Sequence, residues 1–416
     1  MAAPDWMSAE FLKACLESTG DSHQEITVIG FTIEPAAPPG NNYGCIVHRV
    51  KLEFKYVGDE LNVQSTSLII KSPVVGGFME GFSDFAIDIY GREPKYYNEF
   101  ISETYKIEKH DIVPKHYISP RPLCVVLEDL KTSGYLMADR HELLDYEHCC
   151  LYVKASAKLH ALSIAVYKKR PDVIESLVEE RQVFAEKFQE TFRIMWLVSL
   201  KCMGAYLEDK PCYKKISDFI DKACENDNLH QLHLQTEKEN YPIKALIQGD
   251  PWCTNMMFKY DDAGQVVGLK IFDFQSLKFT SPIRELVTFL GASPNLEVRE
   301  TKLDDLYHLY CDHINTNLEK FGCPERLSYE NLKSELIFQS PLVILIAFMM
   351  LPFCIADGKA DMESLLTEDT LKRPIKESPA YKLYEGKTFR KLYPKVLDLL
   401  AEEGVFEYLM QKMDQL

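Results

Sequence analysis

The chain has 416 residues, 46% of them hydrophobic and 26% charged, with 47 Lys and Arg against 63 Asp and Glu for a net charge of −16. That length suits two or three domains, and the apolar fraction supports sizeable cores, which excludes disordered, collagen-like and low-complexity architectures. An acidic surface repels phosphate backbones and anionic lipid, so neither nucleic acid nor a membrane surface is an expected partner.

Twelve scattered cysteines contain no C-x-x-C pair. In a chain of this size they read as reduced thiols, and the expected location is cytoplasmic. The start, MAAPDWMSAEFLKACL, lacks a basic stretch followed by an apolar one and is not expected to be a secretory signal. The longest apolar run, Leu342 to Ala356, contains Pro352. It falls short of the roughly 20 residues a spanning helix needs and is expected to be a buried helix.

In chain order, Glu25–Glu34 is rich in β-branched residues and predicts a strand ending in a Pro/Gly-rich turn. Val50, Leu52, Phe54 and Tyr56 then alternate with Arg49, Lys51, Glu53 and Lys55, a strand with one wet face. Ser65–Lys71 predicts a third strand, closed by Ser72-Pro73. Residues 82–106 carry aromatic residues at helical spacing, and Leu123–Leu130 reads as a short apolar strand with two acids near its end. From His148 the period is helical, interrupted by β character only at Leu246–Phe274. The polar stretch Asp357–Lys391 reads as a long surface insertion. These elements predict an α+β, protein-kinase-like two-lobed fold, with a small antiparallel sheet lobe and a larger helical lobe. The expected divisions are a sheet lobe at 1–125, a hinge at 126–131, and a helical lobe at 132–416 carrying a catalytic hairpin.

The chemistry concentrates in the β interruption, Gln248-Gly249-Asp250-Pro251-Trp252-Cys253-Thr254-Asn255 followed by MMFKY, a turn at Asp261–Gly264, and QVVGLKIFDFQ. If the turn closes a hairpin, position 255 lies opposite about position 270 and Asp273 returns beside the 250–255 loop. A carboxylate, an amide oxygen and a second carboxylate at one end of a hairpin suit phosphoryl transfer. Asp250 would orient and deprotonate a hydroxyl, and Asn255 and Asp273 would offer hard oxygens to Mg²⁺. The step from Asp250 to Asn255 equals that from Asp to Asn in the kinase catalytic loop H-R-D-x-x-x-x-N. The same residue types also cap ordinary turns.

The sheet lobe would hold the nucleotide. Gly40–Cys45 lies between two strands, where backbone N–H groups can cradle phosphates, although Gly-Asn-Asn is also an ordinary turn. Lys71 ends an apolar strand and can reach the α/β-phosphates if Glu93 holds it, or it can snorkel to water. Gly91 and Pro94 disturb any continuous helix through Glu93. The segment around Glu128 and Leu130 would meet adenine through an extended backbone. Phe192, Met195, Trp196, Leu200 and Met203 form a helical apolar stripe that reads as core or as part of an acceptor pocket.

Taken together, LCVVLEDL, AKLHALSIA (Ala157–Ala165), QGDPWCTNMMFKY, KIFDFQ and SPIRELVTFL resemble the insect ecdysteroid-kinase-like family, of the choline-kinase and aminoglycoside-phosphotransferase type. The resemblance spans about residues 25–400. It implies ATP- and Mg²⁺-dependent phosphorylation of a hydroxyl on a small-molecule acceptor, an ecdysteroid or similar lipophilic alcohol, with no obligate protein partner. Carried across by motif, Asp250 resembles the catalytic base and Asn255 and Asp273 the metal ligands. Lys71 and Glu93 resemble the bridging ion pair, and Asn42, Tyr43, Gly44 and Cys45 the phosphate loop. Three positions depart from the family pattern: Gln248 stands where His is usual, Glu285 where Asp is usual, and Cys45 where Ser is common. A Gln cannot titrate, so a His-dependent pH profile is not expected. A catalytically weak nucleotide- or hormone-binding protein and a choline or ethanolamine kinase are the alternative readings.

Overall fold

The computed structural model describes residues 4–18, 25–36, 45–59, 61–74, 85–179, 182–358, 365 and 367–416. Its strands are β1 (Ile26–Pro35), β2 (Cys45–Tyr56), β3 (Gln64–Pro73), β4 (His116–Tyr117), β5 (Val125–Glu128), β6 (Tyr135–Leu136), β7 (Ala245–Ile247), β8 (Met256–Tyr260), β9 (Val266–Ile271) and β10 (Lys278–Thr280). The chain divides into two compact units, one of Met1–Leu136, Asp172–Glu179 and Met256–Leu277, the other of Met137–Pro171, Glu180–Asn255 and Lys278–Leu416.

The first unit is built on an antiparallel sheet of order β1-β2-β3-β5-β4. The period-two pattern of β2 sends Val50 and Leu52 inward against Leu68, Ile70 and Val126. Helix Ala9–Glu17 covers that face with Phe11, Leu12 and Cys15, its first turn capped by the Ser8 hydroxyl, which accepts from the Phe11 N–H. Strands β8 and β9 form a hairpin that β6 extends. The hairpin register is shifted from the sequence expectation, because Met257, and not Asn255, pairs with Lys270. The cause is local. Asp261 accepts from the Ala263 and Gln265 N–H groups in a five-residue turn, and the register slips at Lys259/Tyr260.

Gly91 and Pro94 do interrupt the helix, but the interruption places Glu93. One helix ends at Tyr90 and the next begins at Arg92, with Pro94 inside the first turn, where a missing N–H costs nothing. A Cβ on Gly91 would stand 2.5 Å from the Ile87 carbonyl oxygen, so only glycine fits this joint. Glu93 is buried as a result. A π-helical stretch, Tyr96–Ile101, follows and turns Tyr96, Tyr97 and Phe100 inward.

The second unit is helical around the small β7–β10 ladder. Its helix Tyr146–Lys169 is long and apolar enough to cross a membrane by length and composition, yet most of its apolar stretch is buried against helix Leu303–Lys320. The apolar run at 342–356 is a buried helix with a π segment, Ile346–Met350, just before Pro352. Pro352 cannot donate back to the preceding turn. Two tyrosine hydroxyls substitute for that donor: Tyr384 donates to the Phe348 carbonyl and Tyr393 to the Ala347 carbonyl. This corrects the reading of Asp357–Lys391 as a surface insertion. Tyr381, Leu383, Tyr384 and Phe389 are buried, because the aromatic residues within this polar stretch return to the core.

Candidate functional site

In the first unit, β3 carries Lys71 between Val47 of β2 and Val125 of β5. Its ammonium donates to Glu93 Oε2 at 2.6 Å and to Asp273 Oδ1 at 2.7 Å. Burial works against the ammonium, but the two facing carboxylates outweigh it and hold Lys71 above the ordinary lysine range. Burial dominates at Glu93, which is raised above the usual carboxylate range although Lys71 and the Phe274 N–H favour its charge. Asp273 sits at φ +66°, a left-handed conformation that Asp tolerates better than most residues. The next residue, Phe274, donates its N–H to Glu93 Oε1 at 3.2 Å and stacks on Tyr96 with ring centroids 3.9 Å apart. The turn after β9 is thus clamped to the segment that holds Glu93.

Cys45 opens β2 and pairs with Pro73. Burial pushes its thiol up to about 12, so it stands as a neutral thiol in the neighbourhood of Lys71. Asn42, Tyr43 and Gly44 lie outside the described residues.

The segment after β5 differs from the extended linker that the sequence suggests. Glu128 ends the strand, and a 3₁₀ turn, Leu130–Ser133, begins two residues later. The cause is Asp129, whose buried carboxylate accepts from Arg49 Nε at 2.6 Å, from the Ser67 hydroxyl at 2.8 Å and from the Lys131 N–H at 3.3 Å. The Glu128 N–H donates to the Lys115 carbonyl at 2.9 Å, and its side chain accepts from the Lys115 N–H at 2.8 Å. Both groups are therefore committed to the sheet. Leu130 is buried at the start of the turn.

In the second unit, β7 leads into the Gln248–Asn255 loop. Gly249 takes φ +83°, which glycine reaches without strain. The Asn255 amide Nδ2 donates to the Asp250 carbonyl at 2.9 Å and to Asp250 Oδ2 at 3.0 Å. The five-residue spacing thus closes a ring in which the amide fixes the carboxylate and turns its own oxygen, Oδ1, away from these bonds.

The loop is also held from behind. Glu285, on helix Pro282–Ala292, accepts the Gln248 N–H on Oε2. Its Oε1 accepts from the Tyr152 hydroxyl at 2.9 Å and the Ser156 hydroxyl at 2.7 Å, and His160 Nε2 lies 3.3 Å away. Burial raises the pKa of Glu285, but His160, Ser156 and the Gln248 N–H together overcome it and leave the group below the usual range. His160 is seated in turn by the Tyr310 hydroxyl at 2.8 Å. The extra methylene of Glu285 therefore still reaches the loop backbone. Sequence reasoning missed its partners. The available signal was Tyr152, Ser156 and His160 at four-residue steps, a polar file along an otherwise apolar helix.

The apolar stripe is packed. Trp196, Leu200 and Met203 are buried, and His233 lies against Phe192 and Trp196 with ring centroids 5.8 and 5.3 Å apart. Burial drives the His233 pKa down to about 3, so the ring is neutral.

The sequence profile of the ecdysteroid kinase-like family matches residues 39–323, more than half of the chain. No curated protein matches significantly. Among solved structures, a Plasmodium vivax ethanolamine kinase is 12% identical, over 82% of this chain and 83% of that one, with a TM-score of 0.38.

Proposed function

The chain belongs to the ecdysteroid kinase-like family, and on that premise we propose that it transfers the γ-phosphoryl group of ATP to a hydroxyl of an ecdysteroid or similar lipophilic alcohol. Membership makes the protein a small-molecule phosphotransferase of protein-kinase-like α+β fold. The observation that carries the finer reading is the Lys71–Glu93–Asp273 cluster. A buried lysine held charged by two carboxylates suits nucleotide phosphates, with Glu93 to seat the lysine and Asp273 as the acid offered to a metal.

Asp250 accepts the proton of the acceptor hydroxyl as its oxygen attacks the γ-phosphorus. The bond from that phosphorus to the bridging oxygen breaks, and ADP leaves with Lys71 on its α/β-phosphates. Asn255 holds the Asp250 carboxylate in place during this step. Mg²⁺ is assigned to Asn255 Oδ1 and the Asp273 carboxylate, each a hard oxygen of the kind that ion prefers. When bound, that ion neutralises charge on the phosphates. The Glu128 carbonyl and the Leu130 N–H are the backbone groups assigned to adenine, and Asn42–Cys45 are assigned to the phosphates. All twelve cysteines are free thiols, which supports a cytoplasmic location.

The test is transfer of labelled phosphate from ATP, with Mg²⁺, to ecdysteroids, plant phenols, choline and aminoglycosides in parallel. Product is expected on the ecdysteroid or phenol, and Asp250→Asn is expected to slow it about 10²–10⁴-fold. Labelling of choline alone would replace the acceptor. Acceptor labelling that survives in Asp250→Asn would remove the base.

A further inference from the structure

Within the second unit, the loop that carries Asp250 meets the end of the apolar run at 342–356. The Trp252 ring lies against the Phe353 ring, with centroids 6.3 Å apart and planes tilted by 59°. The turn itself keeps Trp252 beside Asp250. Its N–H donates to the Asp250 carbonyl at 3.2 Å, and its carbonyl accepts the Asn255 N–H at 2.8 Å. The residues that follow the two rings, Cys253 and Cys354, are fully buried. Burial raises the Cys354 thiol, and Asp250 adds to the rise, which puts that carboxylate within electrostatic reach of the Phe353 segment.

From Ile344 to Ala356 every residue is buried except Met349, Met350 and Phe353, which are half-buried. The two methionines close the π turn Ile346–Met350, and three- and four-residue spacing groups them with Phe353 in the helix that follows. Such π turns concentrate at functional sites. The strip is held at its far end by Arg140, which donates to the Cys354 and Ala356 carbonyls, both at 2.8 Å.

The half-open apolar strip therefore runs from the π turn to the loop of the candidate base. Two aromatic rings that lean on each other, with thioethers alongside, make a broad wall that adapts to the shape of a carbon skeleton. A quaternary ammonium is held by rings set around it, and this pair leans together instead.

We propose that Trp252, Met349, Met350 and Phe353 form the wall on which the acceptor's carbon skeleton packs while its hydroxyl meets Asp250, and that this wall selects a neutral, extended apolar alcohol. The assignment rests on the kinase reading of Asp250.

The experiment is equilibrium dialysis of the full chain, without nucleotide, against ecdysone, naphthol and choline, beside the transfer assay. Ecdysone or naphthol is expected to bind about tenfold or more tighter than choline. Phe353→Ala is expected to weaken that binding about tenfold, the loss of one buried aromatic contact. Phe353→Leu keeps an apolar side chain in place and is expected to cost about threefold or less. Met350→Lys sets a charge in the wall and is expected to abolish binding. In each variant the thermal shift given by Mg·ATP should match that of wild type, because a variant that merely loosens the fold would lose both. Binding that follows the wall in a protein that transfers no phosphate would overturn the kinase reading and keep the wall. Binding of neither neutral probe, choline bound as tightly as they are, or an affinity unchanged in both Phe353→Ala and Met350→Lys overturns the wall.

Discussion

Glu93 and Glu285 are both buried glutamates, one in each unit, and their surroundings differ in kind. Glu285 is surrounded by donors, the Tyr152 and Ser156 hydroxyls, the Gln248 N–H and the nearby His160 imidazole, and its pKa falls below the ordinary 4.5 in spite of burial. Burial raises the Glu93 pKa above 4.5 in spite of Lys71, and the second carboxylate on that lysine, Asp273, adds to the rise. The first carboxylate is satisfied and the second belongs to a cluster with more negative charge than its lysine offsets. A satisfied buried acid holds a structure together. Two carboxylates on one lysine favour a further cation, an arrangement that working sites share with structural ion-pair networks.

The sharpest way to break this contrast is to remove one carboxylate from the under-compensated cluster. Asp273→Asn keeps the shape and tolerates the left-handed backbone. It is expected to lower turnover about 10³-fold while leaving thermal stability unchanged or higher, because Glu93 then has Lys71 to itself. The matching change at the satisfied acid should do the reverse. Glu285→Gln is expected to cost about 3 kcal/mol in chemical denaturation, since it sets an amide donor against groups arranged to donate. Its pH signature follows from the lowered pKa. The stabilisation from Glu285 is full above the unfolded value near 4.5 and fades as pH falls through the folded value. Wild type should therefore lose stability below pH 4.5 by this route, and Glu285→Gln should lose less over the same interval. The smallest effects belong to the purely structural hydroxyls. Tyr384→Phe and Tyr393→Phe each leave one carbonyl near Pro352 without its donor and are expected to cost about 1 kcal/mol each with turnover unchanged.

Much of the first unit was legible in the sequence because its signals are local. Alternation in β2 marks which side chains enter the core, and Lys71 sits where a short apolar strand meets Ser-Pro. The step from Asp250 to Asn255 was equally readable, and the structure shows its use: the side-chain amide spans back to the carboxylate. The file Tyr152, Ser156, His160 was visible as a pattern, but its target, Glu285, lies more than a hundred residues away and only the fold joins them. The same holds for Asp129, whose partners Arg49 and Ser67 come from two other strands and turn an expected linker into a 3₁₀ turn. Residues 357–391 misled because their polar composition hides a few aromatic residues at core positions, and burial depends on those few. The hairpin register failed for a smaller reason, a side-chain-capped turn and a slip at Lys259/Tyr260.

The central claim is that the Lys71–Glu93–Asp273 cluster is built for a cation and a nucleotide. Its most direct test is the thermal midpoint of wild type and Asp273→Asn, each with and without Mg·ATP. The account predicts that Mg·ATP raises the wild-type midpoint, by about 2.7 kcal/mol of stability at a hundredfold excess over Kd. It predicts that Asp273→Asn begins at or above the wild-type midpoint and gains nothing from Mg·ATP. A variant that melts several degrees lower without ligand, or that keeps the full Mg·ATP shift, would contradict it.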